Sequence, residues 1–261
     1  ESFVGTSYEM GAIIGAAIIL YYTTVGGFKA VAYSDLLQGV LMVGCLFVLP
    51  IVGITAAGGW TEMMSSLNSI NPALLLPMGE HGISGLGIAS AAGFVAIGFA
   101  FLGSPQLLIR FISAKNTDTI TNASLVSVVC AIVFDIGAIL SGMAGRVLFP
   151  LLDDPETIYP LMSAELFPAA FTGIFLVVVL AAIMSTTDSL LILASSAVVR
   201  DVIQKVFKPV WSDKTFSHWG KGVTVILGLI ALAMALPEVR VIFWFVLFAW
   251  SGLACFTPVI L

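Results

Sequence analysis

Charged residues are scarce in this chain of 261 residues: only 10% are Asp, Glu, Lys or Arg, against about 25% in an ordinary soluble domain. Hydrophobic residues make up 59%, and the mean hydropathy is +1.11. Because so little polar surface cannot cover a water-soluble globule, the composition predicts an integral membrane protein. Basic patches with interleaved aromatic residues are also lacking, which excludes nucleic acid as a partner.

Cysteine and histidine are equally sparse. Cys45, Cys130 and Cys255 lie far apart in apolar runs without neighbouring histidines, which excludes a disulfide scaffold and gives no zinc or redox motif. His81 and His218 lie in loops, with no nucleophile at a recognisable spacing. No H-E-x-x-H, G-x-S-x-G or phosphate-loop motif occurs. We therefore expect a protein that is not an enzyme.

Long apolar runs dominate the chain instead. A membrane-spanning helix needs roughly 20 mostly apolar residues, and frequent Gly and Ala suit close packing of such helices in lipid. The sequence predicts an all-α membrane protein with seven spans in a single transmembrane domain covering 1–261. The spans lie at about 10–25, 30–57, 85–111, 119–148, 169–199, 221–235 and 241–261.

Basic residues favour one side of these spans. With the N-terminus outside, only Arg146 and Arg240 lie in external connections, whereas eight basic residues lie in cytoplasmic ones. This bias follows the positive-inside rule, so we expect a multi-pass protein surrounded by lipid in the plasma (cell inner) membrane. The eight are Lys29, Arg110, Lys115, Arg200, Lys205, Lys208, Lys214 and Lys221.

The connections and the two ends add two expectations. The long external connection at 58–84 contains two prolines and is predicted to hold a short surface helix. The connection at 150–168 is similar and also contains several prolines. The chain begins at Glu1 rather than Met, and it ends at Leu261 inside an apolar run. We therefore expect a piece of a longer protein.

Three carboxylates fall inside predicted spans, where a charge costs about 2.5–3.5 kcal/mol and is a functional candidate by default. Asp35 lies a few residues into the second span. There it either has a functional role or complements the helix dipole, with Lys29 as a possible partner. Asp135 has no flanking motif, which favours a structural bond to a neighbouring helix. Asp188 lies in the fifth span.

The fifth span carries the most informative pattern. Positions i, i+3, i+4 and i+7 of one helix face hold Ala182, Ser185, Thr186 and Ser189. Asp188 lies one turn from Ser185, and oxygen ligands of this kind suit a hard cation such as sodium. A single hydroxyl would indicate only helix packing through a bond one turn back. Three hydroxyls beside a carboxylate favour a cation site.

The third span is predicted to break near its end. Pro105 has no N–H and clashes with the carbonyl of Phe101, and Gly103 makes unwinding easy. Broken helices are where many secondary transporters bind solute and ions, although a simple proline kink is also common in membrane helices.

Three motifs, in the order and spacing found here, resemble those of the sodium:solute symporter family. The run G-G-F-K-A-V at 26–31, followed by Asp35 and Gln38, is similar to the family's G-G-x-x-A-V…D…Q segment. G-S-P at 103–105, with R-F shortly after it, resembles the third motif. A-A-I-M-S-T at 181–186 is similar to the A-A-x-M-S-T helix. The resemblance covers essentially the whole chain, and proline and pantothenate symporters are the most similar members.

The resemblance implies the leucine-transporter fold, in which two five-helix repeats are inverted relative to each other. The seven spans would be its fourth to tenth core helices. This placement requires an external N-terminus, as the Lys and Arg distribution independently indicates. The expected fold is therefore a partial leucine-transporter-type inverted-repeat bundle.

The resemblance also implies two sodium sites. The second site, present in some members, would use Asp35 with Ser185 and Ser189. Asp188 stands where the family has a small or hydroxyl residue, which implies a site that is altered or linked to a proton. The main site would combine part of the first core helix, which this chain does not contain, with the carbonyl of Ala182 and the hydroxyls of Ser185 and Thr186.

A solute pocket is implied at the broken third span, through Ile97, Phe101 and Ser104. Proline symporters carry Trp and Tyr at the positions of Ile97 and Phe101, so the pocket departs from theirs. Trp250 matches an aromatic position of the family, where it either closes the pocket or packs as an ordinary indole.

Together these features predict a sodium-coupled symporter that imports a small organic solute, such as proline, pantothenate or another carboxylate, by alternating access. Two alternatives stay open. A proton-coupled transporter would use Asp35 or Asp188. A seven-helix receptor would share the external N-terminus, but no D-R-Y-like triplet closes the third span and the last span has no lysine for retinal.

Overall fold

The computed structural model describes residues 7–100, 104–152, 154–207, 209–236, 246, 248–250 and 252, without the side chains of residues 97, 99 and 100. Helices and turns account for these ranges, and no strand occurs among them. Short 3-10 turns occupy Pro72–Leu75, Gly79–His81 and Pro155–Thr157, and a π-helical segment occupies Ala197–Phe207. The α-helices are α1 (Tyr8–Ala56), α2 (Trp60–Ile70), α3 (Gly85–Ala100), α4 (Pro105–Ile112), α5 (Thr117–Leu148), α6 (Ile158–Leu166), α7 (Ala169–Ser196) and α8 (Asp213–Ala235).

The first helix, α1, is two helices in one run of 49 residues. Its backbone leaves helical geometry at Gly27, with φ 61° and ψ −163°. This φ lies in the left-handed region, which glycine enters without the steric cost of a Cβ. A methyl group at Gly26 would overlap the Cβ of Ala30. The two glycines therefore permit an abrupt connection between the first and second predicted spans.

Among the described residues, four helical runs are long and apolar enough to cross a membrane: α1, α5, α7 with its π-helical extension, and α8. Helix α8 begins at Asp213, well before the predicted start at residue 221, because the Ser212 side chain accepts a hydrogen bond from the Thr215 N–H and caps the helix. The third predicted span is divided between α3 and α4. The seventh, 241–261, lies almost entirely outside the described residues.

Contacts divide the chain into two compact units, and the first consists of Glu1–Val40 and Val179–Ile242. Within it, the start of α1 packs antiparallel to α8. Leu20 lies against Gly228, and the Tyr8 hydroxyl donates a hydrogen bond of 2.9 Å to the carbonyl of Ala235. The same unit holds the second half of α7, where the predicted cation-binding residues lie.

The second unit, Leu41–Val178 with Phe243–Leu261, is built around an apolar cluster. Helix α2 confirms the short surface helix predicted within 58–84: most of its residues are exposed. Its inner face packs on the cluster, since Met63 and Leu67 are 0% and 1% exposed. A Cβ at Gly137 would overlap the carbonyl of Leu46, so α5 and α1 make a close approach there. The cluster comprises Cys45, Leu49, Ala57, Met63, Leu67, Ala144, Met162, Phe175 and Val178.

Candidate functional site

Three oxygens meet on one turn of α7. The Ser185 hydroxyl donates to the carbonyl of Ala182 at 3.2 Å, and the Thr186 hydroxyl donates to the same carbonyl at 3.1 Å. Such bonds also occur where Ser and Thr only satisfy themselves within a helix. Here, however, they bring together the three oxygens of the predicted main site. Thr186 is exposed and Ser185 half-buried, so this turn has room for further ligands.

A second contact joins α7 to α1. The Ser189 hydroxyl donates a hydrogen bond of 3.3 Å to Oδ2 of Asp35. Ser189 lies one helical turn beyond Ser185 on the same face of α7. The structure therefore brings the Asp35 carboxylate to the hydroxyl-bearing face, as a second cation site requires.

Asp188 accepts a hydrogen bond from a residue that the sequence did not indicate. Its carboxylate is fully buried, at 0% exposure, and its Oδ2 accepts a hydrogen bond from the Tyr22 hydroxyl on the first half of α1. Asp35 also lies close enough to Tyr22 to interact with it electrostatically. Tyr22, Asp35, Asp188 and Ser189 thus form one group, which we name the carboxylate cluster.

Further oxygens are buried in the same stretches of α1. Oγ1 of Thr24 and Oε1 of Gln38 have no hydrogen-bond partner among the described residues. Gln38 lies one turn from Asp35, and Thr24 lies two positions after Tyr22 in the polar run Y-Y-T-T at 21–24. That run, at the end of an otherwise apolar span, is the sequence signal by which Tyr22 could have been found.

The break in the third predicted span falls at Ser104. Its backbone is extended, with φ −74° and ψ 111°, and a new helix starts at Pro105. Pro105 is predicted to kink or open the helix, and it stands here at the first position of a new helix, where proline loses no hydrogen bond and already has a suitable φ. Phe101 and Gly103 lie outside the described residues.

Only some of the residues predicted to line the solute pocket belong to the described part of the chain. Ser104 is 0% exposed, and its Oγ has no hydrogen-bond partner among the described residues. Trp250 is half-buried in a short helical stretch. The Ile97 backbone belongs to α3, and its side chain, like the whole of Phe101, is outside the described part.

The bond predicted between Asp135 and a neighbouring helix is not found among the described residues. The Asp135 side chain is exposed on α5, and within the described ranges no hydrogen bond or ion pair reaches it. Of the three intramembrane carboxylates, only Asp35 and Asp188 enter the carboxylate cluster.

Known proteins share sequence with this chain over its whole length or nearly so. High-affinity proline transporter PutP of Bacillus subtilis (strain 168) is 32% identical over 266 residues, covering 100% of this chain and 55% of PutP. The sodium/pantothenate symporter of Haemophilus influenzae is 31% identical over 256 residues, covering 97% of this chain and 52% of that protein. A sodium/proline symporter of Staphylococcus aureus is 30% identical over 269 residues, covering 100% and 52%. The chain spans about half the length of these relatives.

A solved structure shares the fold. It is a Na+-coupled sialic acid symporter in a substrate-bound, outward-open state, similar with a TM-score of 0.74 at 20% identity over 98% of this chain and 56% of that one. The fold is accordingly a partial leucine-transporter-type bundle in an integral multi-pass membrane protein. The model of the sodium:solute symporter family matches residues 1–261, and the chain belongs to that family.

Proposed function

We propose that this chain forms a single transmembrane domain within a longer sodium-coupled symporter, which imports a small organic solute across the plasma membrane by alternating access. The convergence of the Ser185 and Thr186 hydroxyls on the carbonyl of Ala182 is the observation that carries this proposal. Family membership supports it and removes the receptor alternative. The activity is movement of a solute, such as proline, pantothenate or another carboxylate, rather than catalysis.

The main sodium site would use three neutral oxygens of α7. Hydroxyl protons rotate freely, so Ser185 and Thr186 can turn their protons away from Ala182 and present lone pairs to an ion. A carbonyl and two hydroxyls are hard oxygen ligands, and such ligands suit a hard monovalent cation such as sodium. The remaining ligands would come from a core helix outside residues 1–261.

A second cation site would form at the carboxylate cluster. Carboxylates in a membrane segment are costly unless they are compensated, and here Asp35 and Asp188 both lie near Tyr22. A bound cation would offset their charge, with Asp35, Ser189 and Asp188 as ligands. We propose sodium as the bound ion, because hard cations prefer oxygen ligands and the cluster offers carboxylate and hydroxyl oxygens.

Solute would bind at the break before Pro105, with Ser104, Ile97, Phe101 and Trp250 lining the pocket. The buried Ser104 hydroxyl supports this, since a buried polar group normally has a partner and the described residues supply none. The coupling must be reciprocal: if bound sodium raises the affinity for solute, bound solute must raise the affinity for sodium by the same factor.

The test is uptake by the full-length protein in proteoliposomes, screened over proline, pantothenate and short carboxylates. External sodium is replaced by choline at constant pH. Uptake that falls to background in choline supports sodium coupling. Unchanged uptake in choline would contradict it and would favour proton coupling through Asp35 or Asp188.

A further inference from the structure

The segment from the π-helical extension of α7 to the start of α8 carries a charge opposite to that of the chain. Contrary to the expectation that such patches are lacking, its basic residues are interleaved with aromatic ones. We call residues 197–221 the basic connection. The whole chain has a net charge of −5, but the basic connection has five basic residues against Asp201 and Asp213, which leaves it with +3. The five are Arg200, Lys205, Lys208, Lys214 and Lys221.

Two of these lysines share an exposed helix face with a histidine. Lys214, His218 and Lys221 recur at i, i+4 and i+7, so they share one face at the start of α8, and all three are exposed. Neither Lys214 nor Lys221 has an ion pair within the described part of the chain. Lys205 pairs with Asp201 at 2.6 Å, but both side chains are well exposed, at 73% and 59%. Exposed ion pairs of this kind contribute little to stability.

Apolar side chains are exposed in the same connection. Val206, Phe207 and Val210 are 67%, 72% and 103% exposed. The indoles of Trp211 and Trp219 stack with centroids 5.5 Å apart and planes 8° from parallel. Trp residues are enriched where a membrane meets water, because one end of the ring is apolar and the other can donate a hydrogen bond.

We propose that the basic connection is a docking surface for anionic phospholipid headgroups of the leaflet it faces, the cytoplasmic one by the distribution of Lys and Arg. Exposed valine, phenylalanine and tryptophan side chains would enter the boundary between headgroups and acyl chains, while the lysines contact the phosphates. If the segment faced water, its exposed apolar side chains would stay uncovered. A zwitterionic lipid surface would cover them but would not balance the net positive charge. This surface does not depend on sodium coupling.

The test is native mass spectrometry of the full-length protein in mixed micelles with equal amounts of phosphatidylglycerol and phosphatidylcholine. We expect the unmodified protein to retain phosphatidylglycerol preferentially. Because one basic residue near an anionic surface strengthens binding by about fivefold, the triple variant Lys205→Gln/Lys214→Gln/Lys221→Gln should lose most of that preference. The matched control, Lys29→Gln/Arg110→Gln/Lys115→Gln, removes the same charge from other connections and should keep it.

Two further arms make the result decisive. Lys214→Gln/Lys221→Gln leaves the Lys205–Asp201 pair intact and should give an intermediate preference, which guards against a folding defect in the triple variant. Inorganic phosphate added as competitor should leave lipid retention unchanged. Equal preference in the triple variant and the unmodified protein, or displacement of the lipid by inorganic phosphate, would overturn the proposal.

Discussion

The Tyr22 hydroxyl donates a hydrogen bond to Oδ2 of Asp188, and the bond joins two helices whose residues are 166 positions apart in the chain. The carboxylate it binds is completely buried. Such a bond orients the carboxylate and satisfies part of its need for donors in a region without water. Tyr22 is therefore a positioning residue: its hydroxyl orients the Asp188 carboxylate within the carboxylate cluster.

Replacing Tyr22 with phenylalanine should weaken both the fold and the second cation site. Loss of one donor to a buried charged group costs about 1–3 kcal/mol, so we expect a lower unfolding temperature in the absence of sodium. We also expect a higher half-saturating sodium concentration, because Asp188 is no longer held in place. Both are measured on the purified full-length protein.

Tyr21→Phe is the matched control for that change. Tyr21 is the adjacent residue and 73% exposed, so removing its hydroxyl should alter neither quantity. A Tyr22→Phe protein with unchanged sodium dependence would show that the bond is structural only.

Ser185→Ala and Thr186→Ala should each raise the half-saturating sodium concentration of uptake. One lost ligand oxygen, at about 1.4 kcal/mol, corresponds to about tenfold. Thr187→Ala is an unusually close control, because Thr187 also bonds back one turn, to the carbonyl of Ile183 at 2.8 Å. If all three variants have the same effect, the hydroxyls serve the helix and not an ion.

Asp35→Asn and Asp188→Asn should each remove the second cation site and leave the first. The asparagine oxygen can still accept the bond from Ser189 or Tyr22, so geometry is retained while a charge is lost. We expect the cooperativity of uptake with respect to sodium to fall, from a Hill coefficient above one towards one. The exposed Asp135 provides the control, and Asp135→Asn should leave the Hill coefficient unchanged.

The sequence predicted the helical class and the hydroxyl-bearing face of α7 because both follow from local regularities. Apolar runs of sufficient length specify membrane helices, and a spacing of three and four residues places Ser185, Thr186 and Ser189 on one face. Asp35 was identified for the same reason, as a charge within an apolar run.

Tyr22 could not be predicted in the same way. Its role depends on a contact across the bundle, and a tyrosine near the end of a span is ordinarily explained by the membrane interface. The start of α8 was missed because residues 213–220 are mostly polar. Hydropathy therefore excluded them, although the Ser212 cap extends the helix over them. Buried packing of Met63 and Leu67 likewise depends on neighbours that α2 alone does not reveal.

Gly27→Ala should impair folding through the connection within α1. An L-residue at φ 61° and ψ −163°, a region occupied almost only by glycine, costs roughly 1–3 kcal/mol. We therefore expect a lower unfolding temperature and a smaller folded yield in membranes. Gly39→Ala is the control, since a Cβ there meets no atom within 4 Å and alanine favours a helix. Equal yields for the two variants would contradict the role given to the Gly26–Gly27 connection.

Ser104→Ala should raise the KM for solute while leaving the sodium dependence measured without solute unchanged. The Ser104 side chain is fully buried and its Oγ has no partner in the described ranges, so a solute can supply the missing hydrogen bond. A bond of about 0.5–1.5 kcal/mol corresponds to a rise in KM of roughly two- to tenfold. Ser141, 3% exposed on α5 and also without a described partner for its Oγ, gives the control Ser141→Ala. That variant also loses a buried hydroxyl, but at a different place, so its KM should stay near the value of the unmodified protein. Equal changes of KM in both variants would show that the Ser104 effect comes from packing and not from contact with solute.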